Sequence, residues 1–368
     1  MHRRYIDRTF LGIVAALTLC GFAIFISASL GLLARDGVTF SRVAFTQLTF
    51  GLLGGGIALF LASQTHYRFW KKHSLWIFIF ACLLSLAVFL PFVGLELKGA
   101  HRWLHLGSFT MQPSEVLKIA YVLYLASWLS GAKQKIGSWE HGLIPFLSIS
   151  AIVAGILLFQ KDTDSLIIAL AAGFSMFIAS GAKIRDILIV ILIGCIALFG
   201  VAMLRPYVME RIQTFLNPGS DPLGSSYQIK QSLIAVGSGG VFGRGFGQSV
   251  QKFNYLPEPI GDSIFAVAAE EFGFVGSSVL ILLFLGFILR GLRIAGAAKD
   301  PYGGLVATGI VLLIGAQAFW NIAAMLGVVP LSGLPLVFVS HGGTALLLAL
   351  FSVGIVLNIS KYPASQTT

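Results

Sequence analysis

Charge is what this chain most lacks. Asp, Glu, Lys and Arg make up only 11% of its 368 residues, while 57% are hydrophobic; a soluble domain carries about 25% charged residues. So sparse a polar inventory cannot cover a water-facing surface, and the solvent that fits is the hydrocarbon of a bilayer. The length would hold two soluble domains. Yet no polar block of that size interrupts the apolar segments between residues 9 and 360, so residues 1–368 read as one membrane domain. Cysteine is nearly absent too: Cys20, Cys82 and Cys195 lie inside apolar stretches, with neither metal spacing nor a disulfide framework. His101 and His105 stand at i,i+4 beside Trp103 without a third ligand and read as interfacial residues. The glycine runs at 237–240 and 243–247 are not a nucleotide loop, because no strand–helix unit surrounds them. Nucleic-acid binding lacks a Lys/Arg cluster on a soluble fold, and no internal repeat points to a secondary transporter.

What is there is a series of apolar runs near the 20 residues a spanning helix needs. Ten spans are predicted, at 10–33, 43–63, 75–95, 114–131, 143–160, 165–182, 187–204, 264–289, 303–328 and 337–359. The fold class is all-α: a polytopic helical membrane protein with a large outer loop, 205–262, between spans 7 and 8. The first span is read as uncleaved, since Thr9 to Ala34 is a run of 26 uncharged residues, against about 7–15 in a signal-peptide core. The last two spans share one uncharged run, which Pro330, Gly333 and Pro335 break. Connections on the side of the termini hold 14 Lys and Arg, those on the other side 10, five of them in 205–262. The positive-inside rule accounts for the net charge of +10 and puts both termini in the cytoplasm and the long loop outside. A loop of 58 residues mixing apolar residues with glycine, as at 229–246, is expected to pack on the membrane face or dip into it.

Ionisable groups in or beside spans are costly and therefore candidates for function. Glu115 and Lys118, at i,i+3, share a helix face and can pair, either to fix helix packing or to form a charged cavity wall. Asp262 follows Tyr255-Leu-Pro-Glu-Pro-Ile-Gly at the outer start of span 8. There it is either a plain N-cap or a carboxylate held for chemistry. Glu270 and Glu271 lie two turns deeper and point about 100° apart, so they cannot serve one site equally; structural and substrate-cavity roles both fit. Asp162 and Asp164 sit in a tight outer turn, Gln160 to Ser165. Arg102, Arg205, Arg211 and Arg244 add outer positive charge of the kind that suits phosphate.

The motifs together resemble the SEDS family (FtsW/RodA/SpoVE) over most of the chain. They are Arg102-Trp103 with Gln112-Pro-Ser-Glu-Val-Leu-Lys118; Tyr227-Gln228; Gln231 to Gly240; Gly247-Gln-Ser-Val-Gln-Lys252; Leu256-Pro-Glu258 with Asp262 and Ile264 to Val267; Glu270 to Gly276; and Pro335 to Ser340 with Gly342-Gly343. The Gly247–Lys252 wording and Glu210-Arg-Ile are nearer the division branch than the elongation branch. The resemblance implies a peptidoglycan glycosyltransferase that polymerises lipid II outside the membrane and releases undecaprenyl pyrophosphate. It implies Asp262 as the essential carboxylate, acting as general base or holding a divalent cation, Mg or Mn. Glu115 and Lys118 match the family's intramembrane ion pair. Arg102, Asp162, Arg211, Arg244, Lys252, Glu258 and Ser340 are the further substrate-binding or cavity residues on these motifs. Implied partners are lipid II, a class B penicillin-binding protein and other divisome or elongasome membrane proteins. This chain departs from the family at Gln160-Lys-Asp-Thr-Asp-Ser165, at Ser340-His341 and at Ile260-Gly261 before the key Asp. The rival readings are a flippase for the lipid-linked precursor, with Glu115, Lys118, Glu270 and Glu271 lining a polar path, and a scaffold without activity.

Overall fold

The computed structural model describes residues 5–97, 100–106, 109–132, 135–217 and 225–364. Of the charges counted above, Arg3, Arg4, Lys98 and Lys133 lie outside the described residues, as does 218–224 of the long loop.

In chain order the helices are α1 (Arg8–Arg35), α2 (Gly37–Gln64), α3 (Tyr67–Leu86), α4 (Pro113–Gly131), α5 (Trp139–Phe159), α6 (Thr163–Ala179), α7 (Ile184–Leu204), α8 (Pro206–Leu216), α9 (Ser225–Ser238), α10 (Gln251–Asn254), α11 (Ile264–Gly296), α12 (Pro301–Met325) and α13 (Gly343–Ser360). Each predicted span coincides with one of ten of these. Eight are long and apolar enough to cross a membrane; α6 is shorter, at 17 residues, and α4 carries Glu115 and Lys118. The protein is thus an integral membrane protein with a helical fold.

The all-helical expectation misses a small antiparallel sheet in the order β1 (Gly94–Leu97), β2 (Ala100–Leu106), β3 (Phe109–Met111), with Leu95 opposite Trp103. It also runs the third span too far. A 3₁₀ turn ends at Phe89, and Pro91 and Gly94 then lead into β1; proline cannot continue the helical hydrogen bonding. The predicted start of the last span, 337–342, is loop, and α13 begins at Gly343. The long segment is itself largely helical, through α8, α9 and α10.

Burial in protein differs sharply from helix to helix. The most apolar helix, α7, has mean hydropathy 3.1 and only Asp186 and Ala202 buried in protein, whereas α12 has 1.8 with 78% buried. With lipid outside, the greasiest helix belongs at the periphery, and the well-buried α12 and α13 lie in the middle. There α12 packs on α11, α6 and α4, and α13 lies along α2. A Cβ on Gly354 would stand 2.5 Å from the Leu59 carbonyl oxygen, so glycine is what lets α2 and α13 approach. In the middle of α2, residues Gln47–Gly54 form a π-helical turn.

Contacts sort the loops into two ends. Asp7 meets Arg290 and Ser360, Lys299 meets Tyr362, and Arg68 meets Asp300, so the described chain termini share one end. The turns at 160–164, 258–263 and 332–341 gather at the other.

Candidate functional site

Two prolines and a glycine build the turn before α11. Glu258, between Pro257 and Pro259, takes a left-handed φ of 47°, and its carbonyl accepts the Gly261 and Ser263 N–H groups at 2.9 and 3.3 Å. Ser263 is the N-cap residue of α11 and makes no side-chain cap, so Asp262 stands one residue outside the helix. Its carboxylate bonds none of the first-turn N–H groups of α11, which removes the plain N-cap reading. Instead the Gln228 amide of α9 donates to Asp262 Oδ1 at 3.1 Å and to Ser263 Oγ at 3.0 Å. No salt bridge reaches Asp262 among the described residues. The side chain is partly exposed but ringed by protein. That burial pushes its pKa up from 3.8 to about 7, against the Gln228 hydrogen bond, which lowers it; the nearby Glu258 charge raises it further.

The backbone under Asp262 is pinned from two helices. Asn321 of α12 donates to the Asp262 carbonyl at 2.7 Å and to the Leu334 carbonyl at 2.8 Å. Ser340 Oγ donates to the Gly261 carbonyl at 2.7 Å and accepts the Leu336 N–H, while the His341 N–H donates to the Ile260 carbonyl at 2.7 Å. Gln47, in the π-turn of α2, holds the same strap: its Nε2 donates to the Ser340 carbonyl and its Oε1 accepts the Gly342 N–H. Within this strap Phe338 is buried at φ 70°, a conformation that a bulky residue keeps only when its surroundings enforce it.

Ser340 and His341 line a narrow cleft of about 30 Å³ between α4, α12 and α13, with Glu115 and Lys118 in its wall. Lys118 Nζ lies 2.9 Å from Glu115 and 2.8 Å from Gln317 Oε1, and Gln317 Nε2 bonds the Pro335 carbonyl. The pair is therefore joined through α12 to the strap beneath Asp262. Asp262 itself is beside this cleft, one peptide from the carbonyl that Ser340 holds, and not on its wall.

Asp162 and Asp164 are buried, not solvated. Asp162 caps α6 and accepts from Gln112; Asp164 takes the Arg211 guanidinium at 2.8 and 2.9 Å and the Gly333 N–H at 3.4 Å. Arg102 donates to the Lys161 carbonyl. Within this turn Lys161 takes a left-handed φ of 57°.

The deeper acids lie elsewhere. Lys252, expected in the substrate cavity, is fully buried in an ion pair, its Nζ 2.7 Å from Glu271 and within 3.0 Å of Ser27 Oγ and the Gly247 carbonyl. Ser27 and Ser249 also donate to Glu271. Glu270 accepts from Ser249 Oγ, Val250 N–H and Gln251 N–H, with Arg244 at 3.6 Å. Although they point apart, both acids hold one loop. Just below them α11 breaks at Gly273, φ 65° and ψ −162°. The Glu270 and Glu271 carbonyls accept from Arg244 and Gly245, while Phe274 and Val275 donate to the Gly240 and Val241 carbonyls. A Cβ on Gly273 would lie 2.3 Å from the Gly243 nitrogen, so only glycine fits.

Gln317 and Asn321 were not singled out from the sequence, and Gln228 was noted only within a motif. Gln317 and Asn321 carried a legible signal, two amides at i,i+4 inside an uncharged span.

Among the described residues no three His, Cys, Asp or Glu side chains converge, and the side chains that bond the Asp262 carboxylate are those of Gln228 and Ser263.

The sequence matches the cell cycle protein family FtsW/RodA/SpoVE over residues 7–365. It is 40% identical over 316 residues to the stage V sporulation protein E of Bacillus subtilis, covering 86% of each chain. It is 37% identical over 360 residues to a probable peptidoglycan glycosyltransferase FtsW of Geobacter sp., covering 96% of each. In structure it resembles a chain of a peptidoglycan synthase complex that coordinates polymerization and crosslinking, with TM-score 0.78, 28% identity and coverage of 96% and 97%. It also resembles the Thermus thermophilus rod shape determining protein RodA, with TM-score 0.70, 26% identity and 96% coverage of each.

Proposed function

This chain belongs to the FtsW/RodA/SpoVE family of cell cycle proteins, and we infer from that premise that it is a peptidoglycan glycosyltransferase with Asp262 as its reacting carboxylate. The observation that carries the assignment of Asp262 is its idle chemistry. It sits at a helix start without capping it, has no cation partner among the described residues, and is tuned by burial to about pH 7. A general base works best with its pKa near the operating pH.

The substrate we assign is lipid II. The 4-hydroxyl of one lipid-linked disaccharide attacks the anomeric carbon of the growing strand's terminal sugar. The C–O bond to pyrophosphate breaks with inversion, undecaprenyl pyrophosphate leaves, and the hydroxyl proton passes to Asp262. The cleft by Ser340 and Lys118 is the apolar-walled entrance for the lipid-borne substrate. Arg244, its side chain 41% exposed and 3.6 Å from Glu270, is the arginine we assign to the pyrophosphate, since Arg211 is bound to Asp164. The Lys and Arg distribution puts the end bearing Asp262 outside and the termini in the cytoplasm. A class B penicillin-binding transpeptidase is the partner we assign, by likeness to the synthase complex. The flippase alternative draws less support: the four charges it needs are taken up by Gln317, Lys252, Ser249 and the loop amides.

The test is polymerisation of labelled lipid II by the purified protein together with its cognate transpeptidase. Asp262→Ala is expected to make no strands; full-length strands from it would overturn the assignment.

A further inference from the structure

At the end of the bundle away from Asp262, Arg68, Lys71 and Lys72 of α3, Ser130 of α4, and Asp300 and Tyr302 at the start of α12 line a pocket of about 360 Å³. We propose that this pocket binds the phosphate of an anionic phospholipid headgroup.

Three observations support it. First, its single carboxylate is already engaged. Asp300 accepts from the Tyr67 hydroxyl, from Arg68 at 3.2 Å and from the Gly303 N–H at 3.0 Å as the cap of α12. Lys71 and Lys72 make no salt bridge among the described residues, so their charge is uncompensated at the N-terminal ends of two helices, where the helix dipoles add more. Second, Tyr302 is 1% exposed and its buried hydroxyl has no hydrogen-bond partner, while Lys71 Nζ stands 5.5 Å from the ring. A buried hydroxyl left unbonded is costly; a phosphate oxygen between the lysines and the phenol would satisfy it. Third, the surface below is shaped for acyl chains. Phe69, Trp76, Phe80 and Leu83 follow helical spacing on the same side of α3 as Lys72, and all are exposed. A phosphate at Lys72 would have its tails running down this stripe. The positive-inside tendency explains why lysines occur here, not why a pocket, a spent carboxylate and an unbonded phenol occur with them. Basic pockets between spans are a recurrent way to hold acidic lipids.

The experiment is native mass spectrometry of the full-length protein in detergent with added dioleoyl phosphatidylglycerol or dioleoyl phosphatidylcholine. Retention of phosphatidylglycerol over phosphatidylcholine is expected, falling about fivefold for each of Lys71→Gln and Lys72→Gln. Tyr302→Phe, which removes only the hydroxyl, is the second variant should the lysine pair be poorly folded, and it too should retain less. Equal retention of both lipids, or retention unchanged in the variants, would overturn the proposal. So would displacement of the lipid by an equal concentration of inorganic phosphate, which would make the site one for a small soluble anion.

Discussion

Asp262 and Glu271 lie on one short stretch of chain at the head of α11, and the protein treats them oppositely. Around Glu271 every neighbour is a partner: Lys252, Ser27 and the Ser249 N–H close on it in a fully buried cluster. Around Asp262 the effort goes into the backbone. Asn321, Ser340 and His341 fix the carbonyls of its turn, and the side chain receives the Gln228 amide and a long bond of 3.5 Å from Ser263 Oγ. A carboxylate saturated by internal donors is part of the scaffold. One whose peptide is clamped but whose oxygens are left largely unpaired can take a proton from something else.

The comparison breaks first at Asp262. Asp262→Asn should cost about 10²–10⁴ in polymerisation rate, the usual contribution of a general base, with no loss of thermal stability. The pKa is higher folded than unfolded, so the ionised carboxylate weakens the fold progressively as pH rises from 3.8 through about 7, and a neutral amide escapes that penalty. A destabilised Asp262→Asn would show that the side chain is structural after all. Glu271→Gln or Lys252→Met should do the reverse, lowering stability by about 3–5 kcal/mol because one buried charge is left alone. Thermal unfolding in detergent measures this, and the double substitution should recover part of the loss. An unchanged melting temperature for the single variants would remove the distinction drawn here.

Smaller effects concern the pH profile. With Asp262 as base, the rate should rise with pH through about 7, where the carboxylate ionises. Gln228→Leu removes the hydrogen bond that favours the ionised form and should move this limb up by about one pH unit. Glu258→Gln removes a neighbouring negative charge and should move it down, by less than Gln228→Leu moves it up, because Glu258 is exposed. Limbs that stay put in both variants would mean that another group sets the profile.

Local features were legible in the sequence. The ten apolar runs, the Pro-Glu-Pro turn before Asp262 and the i,i+3 pairing of Glu115 with Lys118 each depend on residues close in the chain. What the sequence withheld is what long-range packing decides. Nothing near Lys252 says that its partner is Glu271, or near Arg211 that it is Asp164. Gly273 looked like one small residue in a span; its role appears only when 240–245 is seen lying against it. The sheet of β1, β2 and β3 was missed because its strands are short and Glu96, His101, Arg102 and His105 interrupt any regular alternation of apolar and polar residues.

The break at Gly273 bears on how the protein is made. Four peptide groups of α11, on either side of the break, bond to residues 240–245. In hydrocarbon an unbonded peptide group costs several kcal/mol, so this helix is not a self-sufficient insertion unit. The glycine-rich stretch leaves the ribosome first and must be in place as the helix arrives. The two segments therefore enter the membrane as a mutually dependent pair, and a glycine replaced on either side would be felt in biogenesis before it was felt in turnover.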